Sequence, residues 1–151
     1  MLDQYGNSIL RLAYSYLHQM EDAEDILQDT LIQYMQKAPA FEDQEHEKAW
    51  LLRVAINLSK NRLQYNRRRA FSELDENLAR EEGEDLSFVW EAVRDLPVHY
   101  REVIHLFYQE GYTTAQIGKL LGRRESTVRS MLHRARELLR EKLKEGYDFE
   151  V

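Results

Sequence analysis

The chain has 151 residues, 43% of them hydrophobic, and a formal net charge of −6, enough for one good core or two small ones. It contains no cysteine, which excludes a disulfide framework and a thiolate metal site. No apolar run approaches a membrane span and the N-terminus lacks a signal-peptide pattern, so the expectation is a cytoplasmic protein without membrane insertion.

Two prolines and six glycines punctuate the sequence, and no strand-like alternation persists, so the fold class is read as all-α. A first helix over about Asp3–Met20 places Ile9, Leu12, Ala13, Tyr16 and Met20 on one face. A second, Glu21–Lys37, keeps a three-four rhythm through Ala23, Ile26, Leu27, Thr30, Leu31, Tyr34 and Met35. It ends at Ala38-Pro39, because a proline disfavours helical geometry in the residue before it. Phe41–Glu47 reads as a loop, and a further helix runs from about Lys48 to Arg68. Its apolar stripe is Leu51, Val54, Ala55 and Leu58, and a second stripe carries Trp50, Arg53, Asn57, Lys60, Asn61 and Gln64.

Ala70 to about Asp85 is acidic, weakly periodic and poor in large apolar residues, which is the composition of a linker. Helical pattern returns over Leu86–Asp95, and Pro97 opens the next helix near its first turn. That helix turns Tyr100, Val103, Ile104 and Phe107 inward and closes at Gly111. Thr113 followed by Gln116 is a capping-box signature, and Ile117, Leu120 and Leu121 give the short helix after it an apolar face. Gly122 stands where the chain leaves that helix and needs the left-handed conformation. Beyond the turn, Val128, Met131, Leu132, Ala135, Leu138 and Leu139 recur at core-facing spacing, while Ser126, Arg129, Ser130, His133 and Arg136 mark another stripe.

The net charge hides a segregation. Residues 1–47 carry ten acidic and two basic side chains, 48–69 none and seven, 70–96 nine and two, and 112–144 three and nine. Local potential rather than net charge steers binding, so the basic blocks suggest two anionic contacts on one ligand. A helix buried on one side and lined with Arg, Ser and His on the other can enter a major groove and read base edges. In the first basic block an aromatic beside cations and amides suits melted or single-stranded nucleic acid, and Arg67, Arg68 and Arg69 suit phosphates. Solvated helix faces, with Trp50 a core residue, are the plain alternative for both blocks.

Together the halves resemble the sigma-70 family of bacterial RNA polymerase initiation factors, in its short extracytoplasmic-function (ECF) group. DAEDILQDTLIQYMQKAPAF (Asp22–Phe41) and KAWLLRVAINLSKNRL (Lys48–Leu63) look like sigma region two, and the stretch Leu96–Leu139 looks like region four. The resemblance implies two small helical domains, 1–69 and 86–145, joined by the acidic linker 70–85 and followed by a tail, 146–151. It implies a factor that binds core RNA polymerase and directs it to promoters, with no catalysis of its own, no cofactor and no metal. The clamp helices of polymerase would meet Asp25, Gln28, Asp29 and Ile32. The minus-ten element would meet Trp50, Arg53, Asn57, Lys60 and Asn61, beside a base pocket at Phe41–Glu47. The minus-thirty-five element would meet Arg124, Ser126, Thr127, Arg129, Ser130, His133 and Arg134. Val103, Leu106 and Phe107 are candidates for the polymerase flap tip, and an anti-sigma factor is a further partner such factors commonly have.

Three departures from the family pattern stand out: an acidic EDQEHE loop, RRES in place of a proline-containing turn, and Met131 where relatives often carry arginine. A DNA-binding regulator acting without polymerase is the nearest rival, with the polar face bearing Ile32 arguing against it. A sigma-like adaptor would be expected to lose its helix-face cations, which this chain keeps. A metal or hydrolytic enzyme is the weakest option, because the five histidines form no ligand spacing.

Overall fold

The computed structural model describes residues 2–72 and 87–147, with side chains over 3–69 and 91–143. Among the described residues every element is helical, and the chain divides into two compact units, Met1–Asp75 and Glu76–Val151. The expected acidic linker lies outside the described residues from position 73 to 85, and the expected tail from position 148 onward.

In the first unit, α1 (Leu2–Leu17), α2 (Met20–Lys37) and α3 (Gln44–Ser72) all pack against one another. Ile9, Leu12, Ala13 and Tyr16 of α1 are buried as expected, but Met20 is not. His18 takes the left-handed conformation at φ 60° and its N–H donates to Tyr14 O at 2.8 Å. This is the αL way of ending a helix, made here by a side-chain-bearing residue rather than by glycine. The helix therefore stops at Leu17, and Met20 opens α2 with 48% exposure. On α2, Ala23, Ile26 and Thr30 are buried, and the Thr30 hydroxyl is satisfied by Ile26 O at 2.7 Å. Met35, expected on the same stripe, is 83% exposed. The helix ends at Lys37, where Ala38 turns extended before the proline (φ −60°, ψ 128°).

The third helix begins earlier than its pattern suggests. Asp43 Oδ1 accepts from the backbone N–H of His46 at 2.8 Å, an N-cap bond that starts α3 at Gln44. Most of the expected loop is thus its first turn. The buried line on α3 is Leu51, Leu52, Ala55, Ile56 and Ser59, whereas Val54 and Leu58 are half-buried. Both α1 and α2 pack on α3, so its apolar face is wide and centred about a residue away from the expected stripe.

The second unit comprises α4 (Ser87–Arg94), α5 (Val98–Ile104) continuing into a π-helical turn (His105–Gln109), α6 (Thr114–Leu121) and α7 (Glu125–Tyr147). Pro97 stands at the N-terminal boundary of α5, and Arg101 Nη1 donates to Leu96 O at 3.0 Å and Arg94 O at 3.3 Å, closing the end of α4. The π turn, with Glu110 N–H reaching His105 O at 3.1 Å, rotates the buried face. Glu102 to Leu106 are all buried in succession, and Phe107 is half-buried. Gly111 at φ +73° ends the element.

Helix α6 starts on the capping box: Thr113 accepts from Gln116 N–H at 3.1 Å, and Gln116 Oε1 accepts from Thr113 N–H at 2.9 Å. It ends on Gly122 in the left-handed region (φ 68°, ψ 39°), whose N–H reaches Gly118 O. Gly118 is the close-approach point, since a Cβ there would stand 2.7 Å from the backbone oxygen of Arg123. Gly118→Ala is therefore expected to destabilise this unit by about 1–3 kcal/mol, the usual range for overpacking against groups that cannot move. Amide exchange over α6 and α7 measures it; unchanged protection would show that the turn can yield.

Candidate nucleic-acid interface

The N-terminal half of α7 presents most of the polar residues singled out in the second basic block. Arg124, Ser126, Thr127, Arg129, Ser130, His133 and Arg134 are all exposed, while Val128, Leu132 and Ala135 anchor the opposite face. Ser126, Thr127, Ser130 and Arg134 line a groove of about 380 Å³ with Met131 and Tyr100 of α5. Tyr100 is thus a surface-lining residue rather than the inward one expected.

Ion pairs organise this face. Glu125, the first residue of α7, accepts from Arg129 Nη1 at 2.8 Å and from the Thr114 hydroxyl, at the start of α6, at 3.0 Å. About three turns further on, Glu137 lies 2.8 Å from His133 Nε2 and pairs with Arg134 at 3.1 Å. The three- and four-residue spacing of these contacts within α7 is visible in the sequence, but the Thr114 contact across the turn is not. Arg136, placed on the same polar stripe by its spacing, is engaged elsewhere. Its Nε donates to the Tyr108 hydroxyl at 2.7 Å, and its guanidinium lies 5.5 Å from the Phe107 ring centre and 5.6 Å from that of Tyr108.

Beneath the turn, Arg123 reaches in two directions. Its Nη2 lies 3.2 Å from Glu102 Oε1, a fully buried carboxylate on α5, and its Nη1 donates to Met131 Sδ at 3.2 Å. The methionine that departs from the family pattern thus meets an arginine from the turn. The neighbouring His105 Nε2 lies 3.5 Å from Glu110 Oε1, both side chains being buried. Val103 and Leu106 have no exposure, which leaves Phe107, beneath Arg136, as the accessible member of the three flap-tip candidates.

In the first unit, Arg53, Asn57 and Asn61 lie exposed along α3, and Lys60 and Trp50 are half-buried. Trp50 belongs to an aromatic cluster, its ring centre 5.9 Å from Phe41 and 6.2 Å from Tyr34, with the latter two stacked at 6.1 Å. The Tyr34 hydroxyl donates to Glu47 Oε2 at 2.7 Å, and that bond, with burial adding, holds its pKa above the ordinary tyrosine value. Arg67, Arg68 and Arg69 are exposed near the end of α3.

On α2, Gln28, Asp29 and Ile32 are exposed, Ile32 to 50%. Asp25, the fourth residue of that face, accepts from Arg62 of α3 at 2.8 Å, and Asn66 donates to Asp22 at 3.0 Å. The bond to Asp25 raises the Arg62 pKa, with Asp22 and Asp29 contributing and burial opposing. Among the described residues no grouping of His, Asp and Glu could hold a metal ion, and no helix is long and apolar enough to cross a membrane.

A cap, a left-handed glycine, a tight turn and a second helix buried on one side and polar on the other define a helix-turn-helix protein, here preceded by a three-helix unit. The Sigma-70 region 2 family model matches residues 1–69 and the Sigma-70, region 4 model residues 89–139. The ECF RNA polymerase sigma factor SigW of Bacillus subtilis (strain 168) is 28% identical over 166 residues, spanning 96% of this chain and 88% of its own. The ECF RNA polymerase sigma factor SigL of Mycobacterium tuberculosis (strain H37Rv) is 30% identical over 155 residues, with the same two shares, 96% and 88%. The solved sigma factor RpoE, in complex with the anti-sigma factor NepR from Bartonella quintana, superposes with a TM-score of 0.77 at 26% identity, covering 95% of this chain and 94% of RpoE. The chain belongs to the sigma-70 family, in its ECF group. It is an RNA polymerase sigma factor, a transcription initiation factor that works with RNA polymerase and promoter DNA.

Arg123→Ala takes away the cation facing buried Glu102. A loss of about 3 kcal/mol is expected, at the low end for breaking a buried pair because Arg123 is 29% exposed. Chemical denaturation followed through the second unit reads it, and a change under 1 kcal/mol would mean that Glu102 is stabilised by its other surroundings.

Proposed function

We propose that the two units divide promoter recognition between them, with the domains spanning 1–69 and 86–145. The exposed face of α7, Arg124, Ser126, Thr127, Arg129, Ser130, His133 and Arg134, enters the major groove of the minus-thirty-five element. Arg129 is the leading base reader, since a guanidinium can bond the O6 and N7 of guanine together. On α3, Asn57 and Asn61 contact bases of the minus-ten element as it melts, with Arg53 and Lys60 on its backbone and Trp50 beside the displaced strand. The face of α2 carrying Asp25, Gln28, Asp29 and Ile32 docks on the polymerase clamp helices, and Phe107 lies toward the flap tip.

The observation that carries this reading is the exposure of the named α7 residues, of Arg53, Asn57 and Asn61 on α3 and of Gln28 and Asp29 on α2, all on helices whose opposite faces are buried. Exposed Ile32 favours a polymerase-dependent factor over a free-standing regulator. The protein acts in the cytoplasm without catalysis of its own, the polymerase supplying the chemistry. The anti-sigma complex of RpoE supports a like partner for this chain, one that covers the polymerase-binding faces.

Run-off transcription by core polymerase with and without the protein tests the whole: discrete new start sites are expected. With such a promoter in hand, Arg129→Ala weakens specific holoenzyme binding by about 1–3 kcal/mol; an unchanged footprint over the upstream element removes Arg129 from the contacts. Asn57→Ala reduces permanganate reactivity of the melted minus-ten strand, by about tenfold if it forfeits one good base contact, while core binding is spared. Loss of core binding instead would place Asn57 in the polymerase interface.

A further inference from the structure

We propose that Glu125 is a specificity-determining positioning residue: it fixes the guanidinium of Arg129 in the orientation that reads a base pair, and is itself fixed by Thr114. The proposal rests on the reading of Arg129 as a base contact and adds what aims it. A free arginine side chain has several rotatable bonds and no preferred direction on an exposed helix face, and its freedom must be lost before two parallel bonds can form. Glu125 removes much of that freedom beforehand. Its Oε1 accepts from Arg129 Nη1 at 2.8 Å and from the Thr114 hydroxyl at 3.0 Å.

The Thr114 bond distinguishes this from an ordinary surface i,i+4 pair. Thr114 and Glu125 are the first residues of α6 and α7, so the carboxylate is anchored across the turn to the start of the neighbouring helix. The relation of those helix starts is set by Gly118 and Gly122, and the aim of Arg129 is thereby referred to the backbone of the turn. Only Nη1 is taken up by Glu125, and an arginine has five N–H donors in a planar fork. The remaining edge can still meet guanine O6 and N7. A carboxylate on a DNA-facing helix also repels phosphates, so its presence lowers binding to any sequence that does not satisfy Arg129. Orientation and repulsion act in the same sense, toward discrimination.

The test is selection by the holoenzyme, full-length protein with core polymerase, from DNA randomised over the minus-thirty-five element. Preference at each position is read for the unaltered protein, Glu125→Ala, Glu125→Gln, Thr114→Val, Arg129→Ala and the Glu125→Ala/Arg129→Ala pair. At the base pair lost in Arg129→Ala, discrimination is expected to fall by about fivefold or more in Glu125→Ala. Glu125→Gln, which keeps the acceptor oxygen, retains most of it, and Thr114→Val shows a smaller loss at the same position. In the Arg129→Ala background Glu125→Ala removes nothing further, and in the parent background it strengthens binding to non-promoter DNA. Thermal unfolding of each variant separates these effects from damage to the fold.

A uniform gain in affinity with discrimination intact would make Glu125 only a repulsive charge and overturn the proposal. A preference lost in Glu125→Ala whether or not Arg129 is present would make Glu125 a base reader in its own right and overturn it too. If Arg129→Ala leaves every preference unchanged, the reading of Arg129 fails, and the aiming role fails with it. A silent Glu125→Ala beside an effective Arg129→Ala sinks the aiming role alone.

Discussion

The recognition half of the molecule depends on Arg123, a turn residue held between a buried carboxylate and the helix it precedes. Glu102 has no exposed side-chain surface and lies 3.2 Å from Arg123 Nη2. A buried carboxylate is costly unless matched, so Arg123 is drawn toward α5. Its other amino group holds Met131 of α7 at 3.2 Å, and its backbone N–H donates to Gly118 O of α6 at 2.8 Å. One residue thus touches three helices at the point where the chain reverses. The left-handed glycine before it lets the chain turn this tightly, and the direction in which α7 projects its polar face follows from these contacts.

The first unit relies on a different device, the pairing of an acidic helix with a basic one. Arg62 of α3 lies 2.8 Å from Asp25 and 3.7 Å from Asp22 of α2, with Asn66 bonded to Asp22 beside it. These groups are partly exposed, and such pairs contribute on the order of 0.2–1 kcal/mol each. Their larger effect is on register, for they fix how α3 lies along α2 above a core of Leu51, Leu52, Ala55 and Ile56. The aromatic cluster of Tyr34, Phe41 and Trp50 closes the other end. Trp50 thereby has both roles the sequence allowed it, packed on one side and half-exposed on the other.

Where a local rule with a single outcome applied, the sequence was readable. Thr113 with Gln116, Gly122 after the short helix and Pro39 after α2 each act within a few residues and need no distant partner. Reading failed where the outcome depends on packing. LLRVAINL is apolar around much of its circumference, so periodicity could not decide between the Leu51–Val54 side and the Leu52–Ile56 side. His18 in a left-handed cap, and a π turn continuing α5 so that Glu102 to Leu106 are buried in succession, are tertiary solutions that no spacing announces. Charge was the most misleading local signal. Arg62, Arg123 and Arg136 count toward the basic blocks, yet each is engaged by its own fold, with Asp25, Glu102 and Tyr108 respectively.

That internal engagement bears on how such a chain discriminates. Its proposed readers Arg129, His133 and Arg134 each have a glutamate one turn away. These carboxylates lower the positive potential that the face presents to phosphates, though the segment 112–144 stays basic on balance. Non-specific affinity built on counterion release is correspondingly reduced. Binding must come from contacts that repay separation of these pairs, and those depend on the base sequence. With the two promoter contacts proposed above, a factor held on polymerase gains the second intramolecularly, so weak individual contacts suffice once both are offered together. Low intrinsic affinity with strict geometry therefore serves recognition better than a strongly basic helix would, because the tether supplies the strength and the paired side chains supply the choice.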